Sequence, residues 1–227
     1  MTFLYQYKIA SDSRIIESYY IQENDDIRVN QQQKYHPMEK EYVADQKFSG
    51  TDFQDRTPLS DEYEGCTFNN CIFSKTDLSD RVFVECSFYD CDLSMAEVNK
   101  TAFRDIYFQG CKLIGLHFED CNPFLLSMHF QGCQLNYSTF LNMNLKKMKY
   151  VDSSLLETDF TGSDLAGMNF ANCDLEKAVF QHSKLDNADF RTAYNYIIDP
   201  EINSIRKARF SPHGLIGLLA KYGIKVE

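Results

Sequence analysis

The chain reads as an all-β solenoid closed by a short C-terminal capping helix. Two features of its 227 residues carry that reading. Large apolar side chains recur every five residues over most of the sequence, and a class of small side chains keeps the same period two residues ahead of them. A spacing of five fits neither an amphipathic helix, near 3.6, nor a half-buried strand, at 2.

The first run steps by five from Phe48 to Phe118 and the second from Phe130 to Phe190. Together they hold 28 positions, of which 24 are Phe or Leu, and they take up 15 of the 18 Phe. All eight cysteines hold the small slot: Cys66, Cys71, Cys86, Cys91, Cys111, Cys133 and Cys173 sit two residues before a position of these runs, and Cys121 two before Pro123, the next step of five past Phe118. Ala96, Ala178, Ala188, Ser138, Ser163 and Thr158 share that slot. The residue between is often acidic, as at Asp77, Asp92, Asp159, Asp164, Asp174 and Asp189. Each unit is therefore small–polar–large–polar–polar.

If the backbone turns a corner every five residues, four units close a square coil of 20. The small and large residues then point inward and the other three face water. Stacked coils would repeat at about 4.8 Å, bonded through backbone amides, and seven of them would make a rod on the order of 34 Å long. Each coil touches only its neighbours, so the ends need caps.

The layout expected is an extension or cap over 1–45, repeats over 46–193, and a C-terminal cap with a helix over 194–227. Residues 1–45 lack the period, although "TFLYQYKI" suits one short strand. Phe118 to Phe130 spans 12 residues where 10 would keep register, so a shift falls within 119–129, and "CNPFLLSMH" (121–129) holds two extra residues. Pro123 removes a backbone donor there. Pro58 occupies a core slot within "QDRTPLSDEY" (54–63). Each irregular stretch is either a tolerated surface bulge or a loop for a partner. Near the end, Ser211 before Pro212 is a helix-start signal and Gly223 a stop. Leu215, Leu218, Leu219 and Tyr222 share one helical face. They form a lid over the last coil, alone or while also pairing two chains.

Composition excludes several functions. Net charge is -10, against the basic surface of a general nucleic-acid binder, so no direct nucleic-acid contact is expected. No apolar run is long enough to span a membrane. The start lacks a basic stretch followed by an apolar one, which makes the cytoplasm the expected compartment. The cysteine pairs are five apart, not the two to four of zinc pairs, and their shared slot marks them as small core residues. The five His do not cluster. No nucleophile elbow, phosphate loop or HExxH motif is present. The expectation is no enzyme, no metal and no cofactor.

Charge is uneven: -3 over 1–45, -10 over 46–190 and +3 over 191–227. Folding the sequence onto coils of 20 puts Asp77, Asp80, Glu97, Glu119 and Asp120 on one wall with Lys100 as its only cation. Such a wall either imitates the phosphates of a duplex or keeps a stacked-sheet protein in solution. Lys146, Lys147 and Lys149 read as surface decoration.

The units "ANCDL" and "ADF" resemble the pentapeptide-repeat family, whose consensus is A(D/N)LXX, over about residues 46–193. "PFLL" (123–126), "ADFRTAYNYIIDPEIN" (188–203) and "ARFSPHGLIGLLAKYGIKVE" (208–227) resemble the C-terminal region of Qnr-like and microcin-immunity-like members. The resemblance implies a right-handed quadrilateral β-helix. It also implies a homodimer formed through about 211–227, and an acidic rod that binds bacterial type II topoisomerase (gyrase) as a DNA mimic, shielding it from quinolones or toxins. Some Qnr-like relatives carry long projecting loops that matter for activity, and no insertion of that size occurs here. The alternative is an interaction scaffold with another bacterial partner.

Overall fold

The computed structural model describes residues 41–54 and 59–225, together with the backbone of two short strands, Tyr7–Ile9 and Ile16–Ser18, paired antiparallel. Pro58 and most of the 1–45 extension lie outside the described residues. Residues 1–40 and 41–227 form separate compact units.

Residues 41–54 and 59–210 form a parallel, four-sided β-solenoid. Strands on one wall pair with strands 20 residues later, as Thr67–Asn69 does with Ser87–Tyr89. The register of five becomes a corner through two devices. The last residue of each unit takes left-handed backbone, for example Asn70, Lys75, Asp80, Glu85 and Asp90, with φ between 48° and 60°. Gly162 holds φ 73° at an equivalent corner, against the side chain of Asn142. The acidic residue before the large one closes the turn from the other side. Asp77 Oδ1 accepts from the Ser79 N–H at 2.9 Å, and Asp92, Asp159, Asp164, Asp174 and Asp189 do the same two residues on. These are Asx turns, the local bond that makes Asp and Asn favour corners over regular strand.

The inward positions make one continuous core. On the first wall nine aromatic rings stack from Phe48 through Phe68, Phe88, Phe108, Phe130, Tyr150, Phe170 and Phe190 to Phe210, with centroids 4.6–5.9 Å apart. Rings on neighbouring walls meet edge to face, as Phe68 and Phe73 do at 5.5 Å. The small slot is polar as well as small. Thr101, Ser138 and Ser183 each donate inward to a carbonyl of the preceding coil at 2.7–2.8 Å, and Cys91 and Cys111 place Sγ 3.3 Å from equivalent carbonyls. A hydroxyl there is buried at little cost because its bond is built into the coil.

The paired coils reach beyond the 46–193 window at both ends. Tyr42–Ala44 pairs with Glu62–Glu64, and Asp189 bridges to Arg209. Phe210 stacks under Phe190 at 5.3 Å although the series between them is broken at Asn195 and Pro200. Tyr196 and Ile198 are buried in that stretch instead.

All eight cysteines are free and buried. Burial pushes the Cys86 thiol up to about 12 and raises Cys71. Only the thiolate reacts quickly. Thiol titration with an aromatic disulfide should therefore find few of the eight reacting in native protein and all eight in denaturant. Fast labelling of most thiols without denaturant would contradict the packed core.

The shift at 119–129 changes one wall only. On the first wall Ile106–Gln109 pairs with Met128–Gln131 across the extra residues without a break. On the fourth wall the ladder of Tyr42–Ala44, Glu62–Glu64, Val82–Val84 and Ala102–Arg104 stops. It resumes at Asn144, which bridges to Asp164 and so on to Lys184 and Ser204. Between them Phe118–Asp120 is a 3-10 turn, Asn122 Oδ1 accepts from the Phe124 N–H, and Leu125 takes φ 60°.

The cap begins as the sequence indicates. Ser211 Oγ accepts from the Gly214 N–H at 3.1 Å, Pro212 has helical dihedrals, and Gly223 ends the segment at φ 60°. The α-helix itself is a single turn, Ile216–Leu219, between 3-10 turns His213–Leu215 and Ala220–Tyr222. Leu218 packs against the core. Lys221 pairs with Asp199 at 2.6 Å and Glu201 at 2.7 Å, tying the cap to the last coil.

Candidate functional site

The five acids named from the sequence do share the third wall. Asp77 and Glu97 are direct ladder neighbours, and the Asp80 N–H reaches the Asn99 carbonyl on the next coil. The Lys100 N–H donates to the Asp120 carbonyl at 2.7 Å, which places Asp120 one coil on. Asp77, Asp80, Glu97 and Asp120 are exposed. The Ser79 hydroxyl and N–H hold the Asp77 carboxyl below the usual range. Glu119 is half-buried and differs in kind. It accepts from Thr139 Oγ1 at 2.7 and 2.8 Å and lies 3.5 Å from His117 Nδ1. None of the other four makes an ion pair among the described residues.

The wall is not acidic throughout. From Thr139 to His182 its outward residues include one acid, Asp159, beside neutral residues such as Asn142, Thr161 and Gln181. The charge belongs to the N-terminal coils. Residues 41–122 carry 16 Asp and Glu against 7 Lys and Arg, a net of -9 out of the chain's -10.

A second acidic strip, not singled out from sequence, lies on the adjoining fourth wall. Asp45, Glu62, Glu64, Glu85 and Asp105 project from its first four coils. The signal was present in the period: these residues flank Val43, Tyr63, Phe83 and Phe103 at outward offsets. The same wall turns basic past its interruption, with Lys146, Lys147, Lys184, Arg206 and Lys207. Lys146 pairs with Asp164 at 2.9 Å.

The four residues named for dimerisation lie together in the cap. Leu215, Leu219 and Tyr222 are 47%, 38% and 56% exposed, while Leu218 faces the core. Ile197, Ile216 and Ile224 add exposed apolar surface in that region.

Among the described residues no group of three or more His, Cys, Asp or Glu is arranged to hold a metal ion, and no helix is long and apolar enough to cross a membrane. A groove of about 500 Å³ lies beside the fourth-wall interruption, lined by Leu126, Met143 and Lys147 among others.

Among solved structures the chain is similar to a trypsin-treated variant of QnrB1, a plasmid-mediated fluoroquinolone resistance protein. Identity is 21%, over 82% of this chain and 99% of that one, with a TM-score of 0.47. Full-length QnrB1 matches at 16% identity over 81% of this chain and all of that one, TM-score 0.35. HetL of the cyanobacterium Nostoc sp. strain PCC 7120, involved in heterocyst differentiation regulation, matches at 13% over 75% and 87%, TM-score 0.24. Likeness at these values carries no argument about activity. No curated protein matches the chain. The family model for a pentapeptide repeat region matches residues 62–124 and 117–190, more than half of the sequence. With five-residue units turning the corners of a four-sided parallel β-helix, the chain belongs to the pentapeptide-repeat family.

Proposed function

We propose that this is a cytoplasmic, non-enzymatic acidic binding protein that engages bacterial type II topoisomerase (gyrase) as a mimic of duplex DNA. The observation that carries the reading is the concentration of charge: a net -9 over residues 41–122, with Asp77, Asp80, Glu97, Glu119 and Asp120 together on the third wall. Regularly spaced carboxylates on a rigid body present a DNA-binding surface with the field it is shaped to receive. The C-terminal segments that resemble Qnr-like proteins support the same reading. Changing Asp77, Asp80, Glu97, Glu119 and Asp120 to Asn or Gln should weaken gyrase binding by tenfold or more, roughly 1.4 kcal/mol. The fold should survive, because Asn still accepts the Ser79 N–H. Binding should fall with salt, since exposed charges are screened beyond about 10 Å at 0.1 M. Supercoiling assays with and without a quinolone, alongside direct binding with duplex DNA as competitor, measure this. No effect at micromolar protein would turn the assignment to the scaffold. That second reading is favoured by one feature, the scarcity of acid on the third wall from Thr139 to His182.

The exposed cap residues Leu215, Leu219 and Tyr222, with Leu218 beneath them, support an end-to-end homodimer. Replacing Leu219 by Lys should halve the mass seen by light scattering. A monomer in the unmodified protein would overturn the end-to-end pairing.

A further inference from the structure

We propose that the fourth wall is a self-complementary docking face for a second copy of this chain, lying alongside and running antiparallel. The wall has nine registers, centred at Val43, Tyr63, Phe83, Phe103, the 121–127 interruption, Leu145, Leu165, Leu185 and Ile205. The interruption is the fifth. The outward residues of the four registers before it sum to -4 and those of the four after it to +3, although the Phe103 and Leu185 registers are neutral and the Leu165 register carries Asp164 alone. A wall of opposite charge at its two ends, with a distinct feature at its midpoint, is matched to itself by a two-fold axis lying across that midpoint.

The midpoint supplies the apolar contact. Phe124 and Leu125 are 64% and 53% exposed, and the Arg104 guanidinium sits 5.5 Å from the centroid of the Phe124 ring. Beside them lies the groove of about 500 Å³, floored by Leu126 and Met143. Under the two-fold, each copy's Phe124 and Leu125 meet the other copy's midpoint, groove included.

The charges then fall into register. The axis lies in the contact plane across the wall, so each column of side chains faces its own column, with coil order reversed. Counting outward, Asp105 faces Lys147, Glu62 faces Lys184, and Asp45 faces Lys207. None of these six makes an ion pair within its own chain among the described residues, so each charge is available. Val84 meets Ala166 between them. Two like-charge meetings result. In one, Glu64 faces Asp186, whose carboxylate already accepts from the Arg206 N–H and Ser204 Oγ at 2.8 Å. In the other, Arg104 faces Lys146, already paired with Asp164.

A two-fold contact uses each pair twice, which permits a charge-swap test on the full chain. Glu62→Lys alone and Lys184→Glu alone should each weaken this association at least tenfold, halving the mass found by sedimentation at low salt. Mixing the two variants should restore it, because both copies of the contact then join Lys to Glu. Raising the salt to about 1 M, where screening acts within about 3 Å, should weaken the pair that lacks a charge swap. Every protein in this test also carries Leu219→Lys, because an antiparallel pair presents a cap at each end and cap pairing would link such pairs into open chains. Circular dichroism on each variant checks that the coils persist. Single variants with the mass of the unswapped protein, or a mixture no heavier than its components, would overturn the proposal.

Discussion

Phe170→Ala should lower stability by about 3–5 kcal/mol, the range for deleting a large aromatic from a packed core. Phe170 is fully buried. It stacks between Tyr150 at 5.9 Å and Phe190 at 4.9 Å, and meets the edges of Phe160 and Phe180, each at 6.1 Å. The rings cannot close over the gap. Coil height is fixed by backbone bonds such as Gly167 N–H to the Asp186 carbonyl and Phe170 N–H to the Asp189 carbonyl. The cavity therefore stays, and its cost adds to the lost transfer energy. Gln181→Ala, at an exposed outward position, should stay within about 0.5 kcal/mol. Denaturant melts of the two variants side by side decide the matter, and equal effects would refute the inward–outward division.

The second large effect is expected at the cap. Gly217→Val should cost about 1–3 kcal/mol, the usual penalty for overpacking. A Cβ on Gly217 would run into the Tyr196 carbonyl, which is backbone and cannot swing aside. The Gly217 carbonyl also accepts the Ile198 N–H at 3.1 Å, so pushing the turn away breaks that bond. Leu218 would lift with it, uncovering the end of the ring stack. Proteolysis after Lys221 and Arg209 should accelerate in the variant, while Ala220→Val, exposed on the same turn, should change little. Unchanged cleavage in Gly217→Val would mean that the cap does not rest on this contact.

The period of five was legible because two long runs obey it, Phe48 to Phe118 and Phe130 to Phe190, with a single shift between them. The corners were less so. Gly, Asn and Asp hold most of the left-handed corners, but Lys75, Met95, Tyr137 and His182 hold others, so residue type alone does not mark them. What marks them is their distance from the large side chain. The coils also continue past residue 193, for a related reason. Asn195 and Pro200 break the series, yet Tyr196 and Ile198 fill the interior and Phe210 resumes the stack. A contact 20 residues away overrides a local lapse. The third-wall acids were found by folding the sequence at 20. The fourth-wall strip needed the same operation around a different centre, and its basic half lies past a two-residue shift that a fixed step cannot cross.

The left-handed corners have a consequence for how such a protein changes over generations. One outward place in each unit, the residue just after the large one, neither closes the Asx turn nor takes the left-handed corner, and so carries little structural duty. At that place core and surface are nearly separate inheritances. A substitution there rewrites one point of a grid whose rows lie about 4.8 Å apart, and leaves the rest standing. A lineage can drift from one partner to another through a series of individually tolerated steps, with no intermediate that fails to fold.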